Sequence, residues 1–209
     1  KSAMKILRVL TIALATALSG LAGPSIAADG KVDQAVVDQA IAYLNEMRNV
    51  EARFVQRDQR GAQWTGRFWL SRPGRIRFEY DPPAGDVIWS GGGLVKHFDA
   101  RLETVTHLPR SATPAWFLLD DEVEIGDDIE VLSTTVQDGR YFVTAARKDD
   151  IVGGRITLAF QAAPERILGW AILDDTGSVT QVELLDLVVG GAIPDSTFEF
   201  DPPIQTFQR

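Results

Sequence analysis

From residue 51 to residue 188 the chain repeats one pattern: apolar and polar side chains alternate, then a short cluster of turn formers intervenes. Trp64, Gly66, Phe68 and Leu70 alternate with Thr65, Arg67, Trp69 and Ser71, and Ile76, Phe78 and Tyr80 alternate with Arg75, Arg77 and Glu79. A period of two places each set on one face of a strand. Further strands are expected near 51–58, 86–90, 94–99, 101–107, 129–136, 140–147, 155–161, 167–174 and 178–188. The separators are Gly61, Arg72-Pro73-Gly74, Pro82-Pro83, Gly91-Gly92-Gly93, Asp138-Gly139, Gly153-Gly154 and Thr176-Gly177. Connections this short join antiparallel neighbours, and no long crossover helix is available to make the sheet parallel. Ten or eleven twisted strands do not stay flat; they curl into a barrel or split into two layers.

Two segments break the alternation. Between Val32 and Met47 the apolar positions Val37, Ile41 and Leu44, with Ala40 and Met47 beside them, recur at helical spacing, and Asp33 is placed to cap that helix. Ser111 to Leu119 holds Pro114 and then Trp116, Phe117, Leu118 and Leu119, which predicts a short helix starting near the proline, before an acidic stretch from Asp120 to Asp128. So short an element cannot bury four large apolar side chains by itself, so it must lie on something apolar. An eight-stranded barrel fills with its own side chains, whereas a wider one leaves a lumen unless something plugs it. Periodicity leaves two readings open: helices completing a packed core, or helices covering an apolar cavity.

Lys5 and Arg8 precede an apolar run from Val9 to Leu21, then Gly23, Pro24 and Ser25-Ile26-Ala27. This is the layout of a secretory signal with cleavage after Ala27. The run is too short for a bilayer, which needs roughly 20 apolar residues. Residues 28–209 are then expected to form a single exported domain. Loss of residues 1–27 removes Lys1, Lys5 and Arg8 and no acid, so the net charge of −8 becomes −11. That acidity, with a pI near 4.8, argues against nucleic acid and against anionic lipid surfaces. The absence of cysteine excludes disulfides, thiolate nucleophiles and a lipid carried on an N-terminal cysteine. His97 and His107 fall in no catalytic or metal-ligand spacing, so no enzyme, metal or cofactor is expected.

Several motifs occur in a telling order. Phe54-Val55-Gln56 is followed by Gly66-Arg67-Phe68-Trp69-Leu70-Ser71-Arg72-Pro73 and by Phe78-Glu79-Tyr80-Asp81-Pro82-Pro83. Ser90-Gly91-Gly92, Phe98-Asp99, Thr113-Pro114 and finally Phe198-Glu199-Phe200-Asp201-Pro202-Pro203 complete the series. Together, over roughly residues 50 to 203, they resemble the LolA family of periplasmic outer-membrane lipoprotein carriers. The triple glycine 91–93 and the prominent acidic segment 120–128 depart mildly from the family pattern.

The resemblance implies a mainly β fold: an unclosed antiparallel β-barrel of about eleven strands with short helices as an α lid. It implies a monomer in the periplasm. Such a carrier receives lipoprotein cargo from an inner-membrane ABC-type exporter, shields the acyl chains and passes them to an outer-membrane acceptor. A carrier of other lipids, or a lipoprotein sensor, would share the same scaffold. In the family the arginine at the position of Arg72 latches the lid, and its fork of donors suits uncapped helix carbonyls. The cavity wall is expected from Trp64, Phe68 and Leu70 with Ile76, Phe78, Tyr80 and Trp89 nearby, and the lid from Trp116, Phe117 and Leu118. Arg67, Ser71, Arg75 and Glu79 fall on the opposite, outer face, with Trp69 among them.

Overall fold

The computed structural model describes residues 30–108, 116–126, 129–148 and 154–203. The expected leader 1–27, Thr113-Pro114 and Asp127-Asp128 lie outside them. Helix α1 spans Gln34–Glu46. The strands are β1 Asn49–Asp58, β2 Gln63–Ser71, β3 Arg75–Tyr80, β4 Val87–Gly91, β5 Val95–Asp99, β6 Thr104–Leu108, β7 Ile129–Gln137, β8 Arg140–Arg147, β9 Arg155–Ala162, β10 Glu165–Leu173 and β11 Val179–Val189. Single 3-10 turns occupy Trp116–Leu119 and Asp195–Phe198.

All eleven strands form one antiparallel sheet in the order β6-β5-β4-β3-β2-β1-β11-β10-β9-β8-β7, so β6 and β7 are its edges. The hairpins follow the turn signals, with one shift. The strand expected at 101–107 begins at Thr104, because the Asp99 carboxylate accepts the Leu102 N–H at 2.8 Å and Glu103 adopts φ +53, making residues 100–103 a turn. One edge is guarded: the Gly30 N–H donates to the Leu132 carbonyl at 3.1 Å and the Thr134 N–H to the Lys31 carbonyl at 3.0 Å, so the chain entering α1 shields part of β7.

The sheet is strongly curved. Trp170 on β10 meets Phe68 on β2 with ring centroids 6.2 Å apart and Phe78 on β3 at 6.3 Å. In a flat sheet those strands lie three and four spacings apart, roughly 14 and 19 Å. Only a sheet bent round on itself brings the rings together. Side chains from β1, β2, β3, β5, β8, β9, β10 and β11 accordingly join one buried cluster.

Helix α1 lies in that concavity. Asp33 caps it, accepting the Ala35 N–H at 3.0 Å, and Val36, Val37, Ala40 and Leu44 form its buried face. Tyr43 meets Phe160 edge-on at 5.8 Å, and Met47 is 1% exposed where the helix hands over to β1. Leu118 and Leu119 of the 3-10 turn enter the same cluster.

A second, smaller cluster sits on the outer face, where Val87, Trp89 and Phe98 are covered by Phe200. Phe200 lies 5.0 Å from Trp89 and 5.6 Å from Phe98 between ring centroids. Arg77 holds this C-terminal segment by donating to the Thr197 and Glu199 carbonyls, each at 3.1 Å, while Arg75 pairs with Asp195.

Gly66 makes the aromatic packing of the concave face possible. It pairs with Phe54 on one side and Tyr80 on the other, and an added Cβ would lie 2.1 Å from the Glu79 carbonyl and 2.6 Å from the Phe54 ring. Gly66→Ala therefore forces β2 and β3 apart or expels Phe54, and we expect a loss of about 2 kcal/mol or more in urea unfolding. An unchanged midpoint and slope would show that the close approach is not needed.

Candidate functional site

Three parts of the chain converge at one end of the sheet: the end of α1, the turn between β2 and β3, and the segment 116–123. Arg72 follows the last residue of β2 and is 6% exposed. Its Nη1 donates to the Leu44 carbonyl at 2.9 Å and its Nε to the Leu118 carbonyl at 3.2 Å. Leu44 lies in the last turn of α1, where its carbonyl also accepts the Met47 N–H at 3.3 Å, and Leu118 lies in the 3-10 turn. One side chain thus ties α1 and the 3-10 turn to the sheet. Burial, with the nearby charge of Arg48, lowers the guanidinium to about 10, and Asp120 and Asp121 oppose that shift. Its Nη2 is buried with no hydrogen-bond partner.

Backbone contacts reinforce the junction. The Arg72 N–H donates to the Arg48 carbonyl at 2.9 Å, and the Gly74 N–H to the Leu119 carbonyl at 2.8 Å. Gly74 sits at φ +76, with the site of a Cβ only 3.0 Å from Gly92, so the turn has no room for a side chain there. Asn45 binds Val123 twice, donating to its carbonyl at 3.1 Å and accepting its N–H at 2.7 Å. Arg48 pairs with the Asp121 carboxylate and donates to the Asp121 carbonyl at 2.8 Å. Further along α1, Gln39 donates to Glu165 at 2.8 Å, and the Tyr141 hydroxyl donates to the same carboxylate oxygen at 2.5 Å. Burial and that carboxylate push the Tyr141 phenol well above its ordinary value.

The concave face beneath this junction is aromatic. Phe68, Leu70 and Ile76 are buried in it, while Phe78 and Tyr80 are half-buried against the same cluster. Phe78 lies 4.7 Å from Phe68 and 5.5 Å from Phe54, and Tyr80 lies 5.0 Å from Phe54, between ring centroids. The Tyr80 hydroxyl donates to Gln56 at 2.8 Å. Burial and the charge of Asp86 raise that phenol far above its usual range. Trp64 shares the face of Phe68 by alternation and is half-buried near the start of β2, outside the main cluster.

Trp89 corrects the expected wall. It pairs across the ladder with Arg77, whereas its neighbour Ile88 pairs with Phe78, so Trp89 points outward beneath Phe200 and Ile88 takes the inner position. The face opposite the cavity wall also differs from a plain solvated surface. Ser71 is 3% exposed, and the Arg77 guanidinium is 6.0 Å from the Trp69 ring. In the segment expected to act as a lid, Leu118 is 1% exposed and packs into the main cluster. Trp116 and Phe117 lie in the 3-10 turn, with side chains outside the described residues.

Residues that the sequence reading did not place on this surface include Trp170, Tyr43, Tyr141 and Phe160, the last two stacked at 4.7 Å. The strand alternation of Trp170, Tyr141 and Phe160 was visible, but which face would be concave was not, and Tyr43 lies beside the apolar stripe of α1. Among the described residues no group of three or more His, Cys, Asp or Glu side chains gathers as metal ligands. His97 instead braces β5 against the turn before β4, with Nε2 3.0 Å from an Asp86 oxygen.

The geometry defines a class: an open, curved antiparallel sheet whose apolar concave side is covered by a helix and a short segment tied down through one buried arginine. Residues 45–201 match the family described as outer membrane lipoprotein carrier protein LolA, and the chain belongs to that family. It is 29% identical over 171 residues to the outer-membrane lipoprotein carrier protein of Methylococcus capsulatus, covering 78% of this chain and 81% of that protein. It is 26% identical over 209 residues to the protein of the same description in Pseudomonas putida, covering 96% of each. Among solved structures, a LolA superfamily protein from Nitrosomonas europaea aligns over 78% of this chain and 97% of its own, at 13% identity and a TM-score of 0.45.

Replacing Arg72 by Leu removes two charge-assisted hydrogen bonds and a buried charge with an unpaired donor. Losing bonds of about 1.5–3 kcal/mol each should open the junction locally without unfolding the sheet. We expect the Gly74 amide, which donates to the Leu119 carbonyl, to exchange at least ~10-fold faster in Arg72→Leu, with β9 and β10 amides unchanged. Equal protection at both places would remove Arg72 from the role of tie.

Proposed function

We propose that the protein is a periplasmic, non-enzymatic carrier that takes up the acyl chains of lipoproteins beneath α1 and the 116–123 segment and moves them from the inner to the outer membrane. The observation that carries this reading is the kind of bond at the two surfaces. The covering segment is held to the sheet by a few polar contacts, while Leu118 and Leu119 occupy the apolar concave side. Apolar contacts are non-directional, so an acyl chain can take the place of leucine side chains with little net cost. Each buried CH₂ is worth about 0.8 kcal/mol, which makes an unescorted multi-chain anchor a poor traveller through water. A few directional bonds then decide whether the cover is shut.

In this reading Arg72 is the latch, Leu118 with Trp116 and Phe117 belongs to the lid, and Phe68, Leu70, Ile76, Phe78, Tyr80 and Trp64 line the space that opens. Ile88 replaces Trp89 in that wall. An inner-membrane ABC-type exporter supplies the cargo and an outer-membrane acceptor receives it; the carrier works as a monomer in between. The signal-like pattern of residues 1–27 and the names of the relatives support the periplasmic setting.

The decisive experiment is release of newly made lipoproteins from inner-membrane spheroplasts, with and without the purified protein. Release of intact lipoprotein that depends on the protein is expected; retention of all lipoprotein, or extraction of free lipid alone, overturns the reading. Arg72→Leu should load cargo yet hand it over poorly, and normal handover by that variant would refute the latch. Phe78→Asp should lower lipid uptake at least ~10-fold while shifting Tm by less than about 8 °C. A collapse of Tm with uptake intact would make Phe78 ordinary core.

A further inference from the structure

Beside the junction, between the 116–123 segment and the C-terminal segment, lies a cleft of 470 Å³. That volume falls in the roughly 300–1,000 Å³ range of small-ligand sites. Arg48, Arg72 and Arg75 line it, with Ser71 on its floor side, Asp121 on the lid side and Ile193 on the C-terminal side. Three guanidinium groups in one cleft are unusual in a chain of net charge −8. Their partners are also loosely held. Asp121, paired with Arg48, is 66% exposed, and Asp195, paired with Arg75, is 82% exposed. Ion pairs so exposed are worth about 0–1 kcal/mol and exchange readily. Arg72, 94% buried by its 6% exposure, keeps one donor nitrogen without any partner.

We propose that this cleft receives a phosphate group, the chemistry shared by free phosphate and a phospholipid headgroup, and that a bound phosphate favours release of the 116–123 segment. A tetrahedral oxyanion offers enough acceptors for forks from several directions, which one carboxylate cannot do. The direction of the coupling follows from the geometry. Arg72 Nη2 is sealed from solvent in the closed arrangement, so a phosphate reaches it only when the guanidinium leaves the Leu44 and Leu118 carbonyls. Arg48 likewise engages the phosphate fully only by releasing Asp121. The phosphate therefore binds the open arrangement better than the closed one and shifts the population toward it. The inference rests on the carrier reading only in treating 116–123 as a lid.

The test titrates the whole protein with sodium phosphate and, separately, with dihexanoylphosphatidylglycerol below its aggregation concentration, at ionic strength fixed with sodium chloride. Binding is read by calorimetry, and opening by exchange of the Gly74 amide against those of β9 and β10. Saturable binding with exchange at the junction about fivefold faster is expected, and loss of that binding by at least tenfold in Arg75→Gln. Arg48→Gln gives the second reading if the Arg75 variant no longer melts cooperatively. Response to both probes marks a site for phosphate as such; response to the lipid alone marks a headgroup site. No saturable binding, binding unaltered in both variants, or exchange unchanged or slowed by bound phosphate overturns the proposal. Failure here alongside normal spheroplast release removes only the phosphate site, whereas failure of both removes the carrier reading as well.

Discussion

A guanidinium held out of water between two backbone carbonyls is the contact on which the rest of this structure turns. Arg72 is reached from three directions in sequence: the end of β2 carries it, Leu44 in α1 accepts from it, and Leu118 in the 3-10 turn accepts from it. Desolvating a charge is costly unless its donors are used, and here one of them is not. In the proposed carrier this imbalance would let the cover close and still open. A hydrophobic side chain at this position would remove that imbalance and take the charged donor from both carbonyls, leaving Leu44 with the Met47 N–H.

The curvature of the sheet sets the stage for that contact. Eleven antiparallel strands in simple order would expose a broad apolar face if they lay flat. Bending brings Trp170 to Phe68 and Phe78, and α1 with Leu118 and Leu119 packs into the same concave cluster. Close backbone approach at Gly66 lets Phe54 lie across β2, so the aromatic surface is continuous from β1 to β3. The outer face is handled differently, with Phe198 and Phe200 laid over it and Arg75 and Arg77 holding their backbone and rings.

Much of this was legible in the residues, for identifiable reasons. Helix α1 has an apolar stripe and an Asp cap, and the hairpins have polar-apolar contrast and turn formers, all of which act within a few residues. Arg72 was legible because its fork of donors suits carbonyls at helix ends and because the motif around it is similar to one family. Trp89 was not: in Val87-Ile88-Trp89 every side chain is apolar, so alternation gives no contrast by which to choose a face. The choice was made by Phe200, more than a hundred residues away, whose contact leaves no local trace. The same holds for Asn45 and Arg48, which look like ordinary polar residues at a helix end. Their partners, Val123 and Asp121, lie in an acidic stretch that reads as a solvated loop.

Those two residues change how the cover is understood. If Arg72 alone held it, α1 and the 116–123 segment could part independently. Asn45 and Arg48 bind that segment directly to the end of α1, so the helix and the segment are joined to each other as well as to the sheet. In the proposed carrier, breaking the two Arg72 bonds would free a unit that is already assembled, and its leucines and the inner face of α1 would withdraw together from the concave side. The opposing restraint is Glu165, which takes hydrogen bonds from both Gln39 and Tyr141 at the far side of the helix. Under that proposal a helix fixed at that side and released at its Leu44 end would pivot rather than detach. Such motion would expose the aromatic surface near Phe78 and Tyr80 first, where the side chains are already only half-buried.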